Sequence, residues 1–244
     1  MNVPLIAQLG LRGREACLGA ISLDVASVGH ASSWAGSYHV LQMGRHYDHY
    51  VVTGYTAALP ALTGLPATHP FEKLTSKIRA AGVTGNVGEC VAALFARRTM
   101  GAAVADIALI RSRQPFRRRK APDYLMRLGP SMPGPLAPVL PAGVQCAWPE
   151  WWPVESKARS TESFARAARS QGLAQLATYW SLTASSRPSE VGYGLVVSFT
   201  YQPPREVRVQ IFLPRDRAGL QAQLLRSNSS TARARGLRAF LYDC

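Results

Sequence analysis

Asp123, preceded by Pro122, and the triplet Glu155-Ser156-Lys157 are the residues whose types and spacing could carry out hydrolytic chemistry. Side chains two apart on a strand point the same way, so a strand through WPVESKAR puts Glu155 and Lys157 on one face. Trp152, Val154, Ser156 and Ala158 then take the other face and can pack inward. If the strand bearing Asp123 lies beside this one, Asp123 reaches the same edge as Glu155. Two carboxylates there make a hard, oxygen-rich site suited to Mg²⁺, with Mn²⁺ as a substitute. Such a metal polarises a phosphate and generates hydroxide from bound water. An ammonium beside it, Lys157, would position the water and neutralise developing charge. Alone, Pro-Asp is common in turns and acid-any-Lys on solvated strands; the reading rests on their joint placement.

Periodicity supplies elements around both segments. Thr84, Gly85 and Asn86 offer caps for a helix through GECVAALFARR, with Val87, Val91, Leu94 and Phe95 as its buried stripe and Gly101 closing it. A short helix over 71–81 precedes it. Strands are predicted over 103–110 (AVADIALI) and 121–128 (APDYLMRL), joined by the exposed basic loop RSRQPFRRRK. The Pro/Gly-rich stretch 129–143 reads as an extended loop. Residues 151–158 form a third strand, and 161 to about 182 a helix with Leu173, Leu176 and Trp180 on one side and a bend at Gly172. Further strands follow over 193–201 and around Val207, Val209, Ile211 and Leu213, and then an Arg-rich, helical tail. Alternating helices and strands of this kind predict an α/β layer fold.

In this setting the residues resemble the PD-(D/E)XK nuclease superfamily, the restriction-endonuclease-like fold. Its core runs helix, three strands, helix, strand, and its motif matches Pro122-Asp123 and Glu155-Ser156-Lys157. The resemblance spans about residues 84–213. It implies Asp123 and Glu155 as metal ligands, Lys157 as the water-assisting residue, and Glu89, on the helix before the first strand, as an auxiliary metal or water ligand. It also implies a 5′-phosphate product. Gln175 and Tyr179 look like the Gln-x-x-x-Tyr motif of the recombination-type exonuclease branch. Spaced i, i+4, they share a helix face, near the metal site or DNA; the polar face of an amphipathic helix is the competing reading. Glu89 likewise reads either as a ligand or as a solvent-facing helix residue.

Charge points to the partner. Twenty-eight Lys and Arg against fourteen Asp and Glu leave a net charge of +14, which favours a polyanion, DNA first and RNA not excluded. Arg111, Arg113, Arg117, Arg118, Arg119 and Lys120 lead into the Asp123 strand and are placed to hold a phosphate backbone in register. Arg226, Arg233, Arg235 and Arg238 add a second basic footprint. Kept soluble by charge alone is the plainer reading.

Residues 1–70 read as a mixed helix-and-loop extension, divided from a nuclease-like domain over 71–244 by the breaker cluster LPATHP. The four scattered cysteines form no CxxC pair, and a reducing compartment suits them. His30, His39, His46 and His49 have no zinc-site spacing. No signal peptide or membrane span is legible, so the expectation is a cytoplasmic protein without membrane contact. P-loop, Rossmann and GxSxG signatures are absent. The expected function is metal-dependent DNA hydrolysis, with pairing of two chains in a homodimer open by analogy. A non-catalytic nucleic-acid-binding module is the alternative. So is a nuclease toxin or effector that meets an immunity partner through residues 1–70.

Overall fold

Val3, Leu5, Ala7 and Leu9 alternate along the first strand, β1 (Asn2–Leu9), and all four are buried. That period of two places one face of the strand in the core. The computed structural model of the chain describes residues 2–23, 88–89, 91–102, 106–110, 121–128, 133–142, 148–226 and 236–244. β2 (Glu15–Ser22) returns antiparallel to β1 through a turn at Gly10. There φ is +57°, and a Cβ would stand 2.4 Å from the carbonyl oxygens of Tyr242 and Asp243, so only glycine lets the chain's end lie on this turn. Residues 2–22 are thus two strands of the main sheet, in place of the mixed helix and loop expected there. The alternation is visible in the sequence, with Pro4, Ile6 and Gln8 as the intervening positions.

Helix α1 comprises residues 88–89 and 91–98, and Val91, Leu94 and Phe95 are buried along it as its spacing requires. β3 (Ile107–Leu109) and β4 (Tyr124–Arg127) pair antiparallel. In the Pro-rich stretch, expected as extended loop, α2 (Pro133–Leu136) and a following 3-10 turn form instead. Leu136 and Val139 are buried in the core, and that burial anchors the turn despite the prolines. β5 (Trp151–Arg159) pairs antiparallel with β4. The 22-residue α3 (Glu162–Thr183) then crosses to β6 (Gly194–Thr200), which lies parallel to β5. A parallel neighbour needs such a crossover, because a tight turn cannot reverse the path. β7 (Glu206–Phe212) returns antiparallel to β6 and parallel to β1, and α4 (Arg217–Arg226) follows.

The result is an α/β fold around a seven-stranded mixed sheet in the order β2-β1-β7-β6-β5-β4-β3. One face packs α1 on Trp152, Val154, Ala158, Leu195, Val197 and Val209. The other packs Leu173, Leu176 and Trp180 of α3 on Val196 and Phe212. Each fully buried Trp or Leu in these layers contributes about 1.5–3 kcal/mol of transfer free energy. α3 continues through Gly172 as one helix. A Cβ there would be 2.7 Å from Val196 Cγ2, so the glycine serves close approach of helix to sheet. Among the described residues no helix is long and apolar enough to cross a membrane.

The expected helix over 71–81, the boundary at residue 70, the four histidines, the basic run Arg111–Lys120, Arg233 and Arg235 lie outside the described residues.

Candidate active site

β5 alternates as its sequence predicts. Trp152, Val154 and Ala158 join the α1-facing cluster. Glu155 and Lys157 take the α3-facing side, where the ammonium of Lys157 donates to Glu155 Oε1 and, over 2.7 Å, to Gln175 Oε1. Gln175 is itself anchored, because its Nε2 donates to Ala121 O at 3.1 Å, two residues before Asp123. A single glutamine on α3 therefore joins the Lys157 strand to the segment carrying Asp123. Glu155 is 0% exposed and the Lys157 side chain 12%.

Asp123 lies just before β4, whose register with β5 begins at Tyr124↔Val154. Its Oδ2 accepts from both the backbone N–H of Ser156, at 2.9 Å, and the Ser156 Oγ, at 2.7 Å. The carboxylate, 3% exposed, thereby extends the strand pairing onto the middle residue of the triplet. Glu155, Lys157 and Gln175 meet on the α3-facing side of β5, and Asp123 is fastened to Ser156, the residue between the first two. The sequence placed Ser156 only as an inward-packing position, because the middle of an acid-any-Lys triplet carries no type requirement. A hydroxyl among the apolar positions of that face was the available signal.

Glu89 is held by the residue next to Asp123. Its Oε2 accepts a 2.7 Å hydrogen bond from the Tyr124 hydroxyl, on the α1-facing side of the sheet. α1 approaches β5 closely here, since a Cβ on Gly88 would be 3.0 Å from the Lys157 carbonyl carbon. Among the described residues no three His, Cys, Asp or Glu side chains form a group that could hold a metal. Tyr179 lies one turn past Gln175. Its hydroxyl donates to Glu190 Oε2, and Arg187 reaches the same carboxylate at 3.3 Å. Burial, and then the Glu190 carboxylate, push the Tyr179 pKa well above the ordinary tyrosine value, so it stays a protonated donor. Gln175 serves Lys157; Tyr179 braces the far end of α3.

The chain matches no protein-family model, no curated protein and no solved structure. The reading of the site therefore stands on these residues alone.

Strand register extends the site sideways. Glu155 is opposite Val196, which is opposite Gln210, which is opposite Gln8. In the next row Lys157 is opposite Ser198, and Ser198 is opposite Arg208. Lys157 and Arg208 thus share a row two strands apart, roughly 10 Å at the usual strand spacing. Of the basic tail, Arg226 is exposed at the end of α4, while Arg238 is half-buried and lines one cavity with Arg208 and Gln210.

Proposed function

We propose that the chain is a metal-dependent nuclease that hydrolyses DNA phosphodiester bonds, on the element order of the PD-(D/E)XK superfamily. One observation carries the reading. The Lys157 ammonium is held between Glu155 and Gln175, on the strand to which Asp123 is hydrogen-bonded. With the short α2 and its 3-10 turn set aside as an insertion between β4 and β5, the order α1, β3, β4, β5, α3, β6 is also the helix, three strands, helix, strand of that superfamily.

Asp123 and Glu155 fit a magnesium ion in donor type and number, since Mg²⁺ takes one or two carboxylates and keeps several waters. When bound, the metal would polarise the phosphoryl group and lower the pKa of a water. The chain's own residues do the positioning. A lysine has three N–H donors; two are used by Glu155 and Gln175, and the third is left for a water or a phosphoryl oxygen. With its ammonium tethered at two points, Lys157 loses little further freedom when substrate arrives, and this favours an oriented attack in line with the leaving oxygen. Glu89 and Tyr124 hold α1 beside the segment that carries Asp123. The net charge of +14 suits a polyanionic substrate.

The test is a cleavage panel of supercoiled, linear and single-stranded DNA and RNA, with Mg²⁺, Mn²⁺ or EDTA. Cleavage of DNA with either metal and none in EDTA is the expected result. Lys157→Ala should abolish it while DNA binding persists, and full activity in that variant removes Lys157 from the mechanism. A second reading has its own observation: Asp123 is already engaged by Ser156, and Glu155 by Lys157. Uncut substrate throughout, with salt-sensitive binding, would make the chain a non-catalytic nucleic-acid-binding module.

A further inference from the structure

A cavity of about 420 Å³ opens between the first half of α3 and strands β2, β1 and β7. Its volume falls in the range of roughly 300–1,000 Å³ usual for small-ligand sites. Five arginines line it (Arg12, Arg166, Arg169, Arg208 and Arg238) against two glutamates, Glu15 and Glu162. The lining therefore carries a formal excess of three positive charges.

Internal pairing accounts for only part of that charge. Arg169 is bound by both oxygens of Glu162. Arg208 is bound by Glu206, with Nε to Oε1 at 2.9 Å, and by Glu15. Arg12, Arg166 and Arg238 have no carboxylate partner among the described residues. Arg238 goes further: its Nε is buried and has no hydrogen-bond partner. A buried donor left unpaired is costly, so a ligand that accepts here is favoured.

The strand side of the cavity asks for the opposite polarity. Gln8 Oε1 accepts from Arg208 Nη1 at 3.4 Å, and a guanidinium can only donate. That fixes the Gln8 amide, whose Oε1 also accepts from Gln210 Nε2 at 3.2 Å. Gln210, 1% exposed, is consequently left with its Oε1 as a buried acceptor without a partner. The occupant must offer anionic oxygens to guanidinium groups and an N–H or O–H to an amide oxygen.

We propose that this cavity is a binding site for a nucleoside phosphate, with its phosphate among Arg12, Arg166 and Arg238 and a base or sugar donor toward Gln210. Phosphate oxygens match guanidinium forks in geometry, and a dianion answers an excess of three better than a lone carboxylate does. The nucleoside supplies a donor at a distance from the phosphate, which inorganic phosphate, with its only O–H on phosphorus, cannot place. The same chemistry can come from a free nucleotide or from the terminal nucleotide of a strand. The site shares no residue with Asp123, Glu155 or Lys157, and so goes beyond the proposed nuclease function.

Calorimetric titration of the full chain in EDTA tests this with 5′-AMP, adenosine, inorganic phosphate, and a hexanucleotide with and without a 5′-phosphate. At least one phosphorylated nucleoside ligand should bind roughly tenfold or more tightly than its unphosphorylated counterpart and than inorganic phosphate. Binding of AMP assigns a free nucleotide; binding of the phosphorylated hexamer alone assigns a strand end. Arg12→Ser with Arg166→Ser, both exposed positions, should weaken binding roughly tenfold with an unchanged circular dichroism spectrum. Arg166→Glu is the second variant and should weaken it at least as much. The proposal is overturned if phosphorylation makes no difference to affinity, or if these variants bind like the wild type. It is equally overturned if an acidic peptide binds as tightly as the nucleotide.

Discussion

Asp123 Oδ2 receives two hydrogen bonds from one residue, Ser156, through its backbone N–H at 2.9 Å and its hydroxyl at 2.7 Å. Thirty-three positions separate the two in sequence. The pair fastens the start of β4 to the strand bearing Glu155 and Lys157, and does so in a buried setting where an unpaired carboxylate is costly. Ser156→Ala removes the hydroxyl donor and leaves the N–H. Loss of a hydrogen bond to a charged group should cost about 1.5–3 kcal/mol in urea denaturation, with nuclease activity falling in parallel. A loss below about 0.5 kcal/mol would mean that water replaces the hydroxyl at no cost.

Gln175 orients Lys157 without itself contacting the Asp123 or Glu155 carboxylate in any of its described hydrogen bonds. Gln175→Ala should lower the cleavage rate roughly tenfold to a hundredfold, since misplacement of about 1 Å has effects of that size. DNA affinity should stay within about twofold. Gln175→Glu keeps an acceptor for the ammonium and should recover part of the rate. Equal rates for the Ala variant and the wild type, measured under single-turnover conditions, would deny Gln175 this positioning role.

Gly172 sets two effects against each other. Replacing a mid-helix glycine by alanine gains about 1 kcal/mol in helix propensity. Here the new Cβ would meet Val196 Cγ2 at 2.7 Å and Cγ1 at 2.9 Å. Overpacking against a stiff β-branched side chain costs about 1–3 kcal/mol, so Gly172→Ala should destabilise or at best break even. In a Val196→Ala background the same substitution should become stabilising. A thermal double-mutant cycle reads the coupling, and additive effects would refute the contact.

Glu162 and Arg169 give an acid-side pH dependence. Burial acts to raise the Glu162 pKa, but the hydrogen bond and charge of Arg169, with Arg208 and Arg166, outweigh it and hold the carboxyl below its ordinary value. A depressed carboxyl stabilises the fold above its unfolded pKa, and that contribution is lost as pH falls through the folded value. Stability should therefore decline below about pH 4.3, the ordinary glutamate value. Glu162→Gln should flatten that decline and cost about 1–2 kcal/mol at neutral pH. The figure is low for a buried Arg169 because the glutamate side chain is 36% exposed. An unchanged acid limb in the variant would assign the decline to other groups.

Local periodicity made much of this protein legible. The face shared by Glu155 and Lys157, the burial of Trp152, Val154 and Ala158, and the stripe of Val91, Leu94 and Phe95 follow from spacings of two and 3.6 residues. Those signals are carried within one element, so the chain alone determines them. The α/β alternation from α1 to β7 was readable for the same reason. Pairings between distant segments are set by which surfaces meet, and only the tertiary structure decided them. It joined β1 to β7 across about two hundred residues, as the Gln8–Gln210 hydrogen bond shows. It gave Glu89 to Tyr124 and Tyr179 to Glu190, although their spacing also allowed a place beside Lys157. It also gathered Arg12, Arg166, Arg169, Arg208 and Arg238 around one cavity. A residue's own neighbourhood in sequence fixes the face it takes, whereas its partner depends on strand order, which no local spacing encodes.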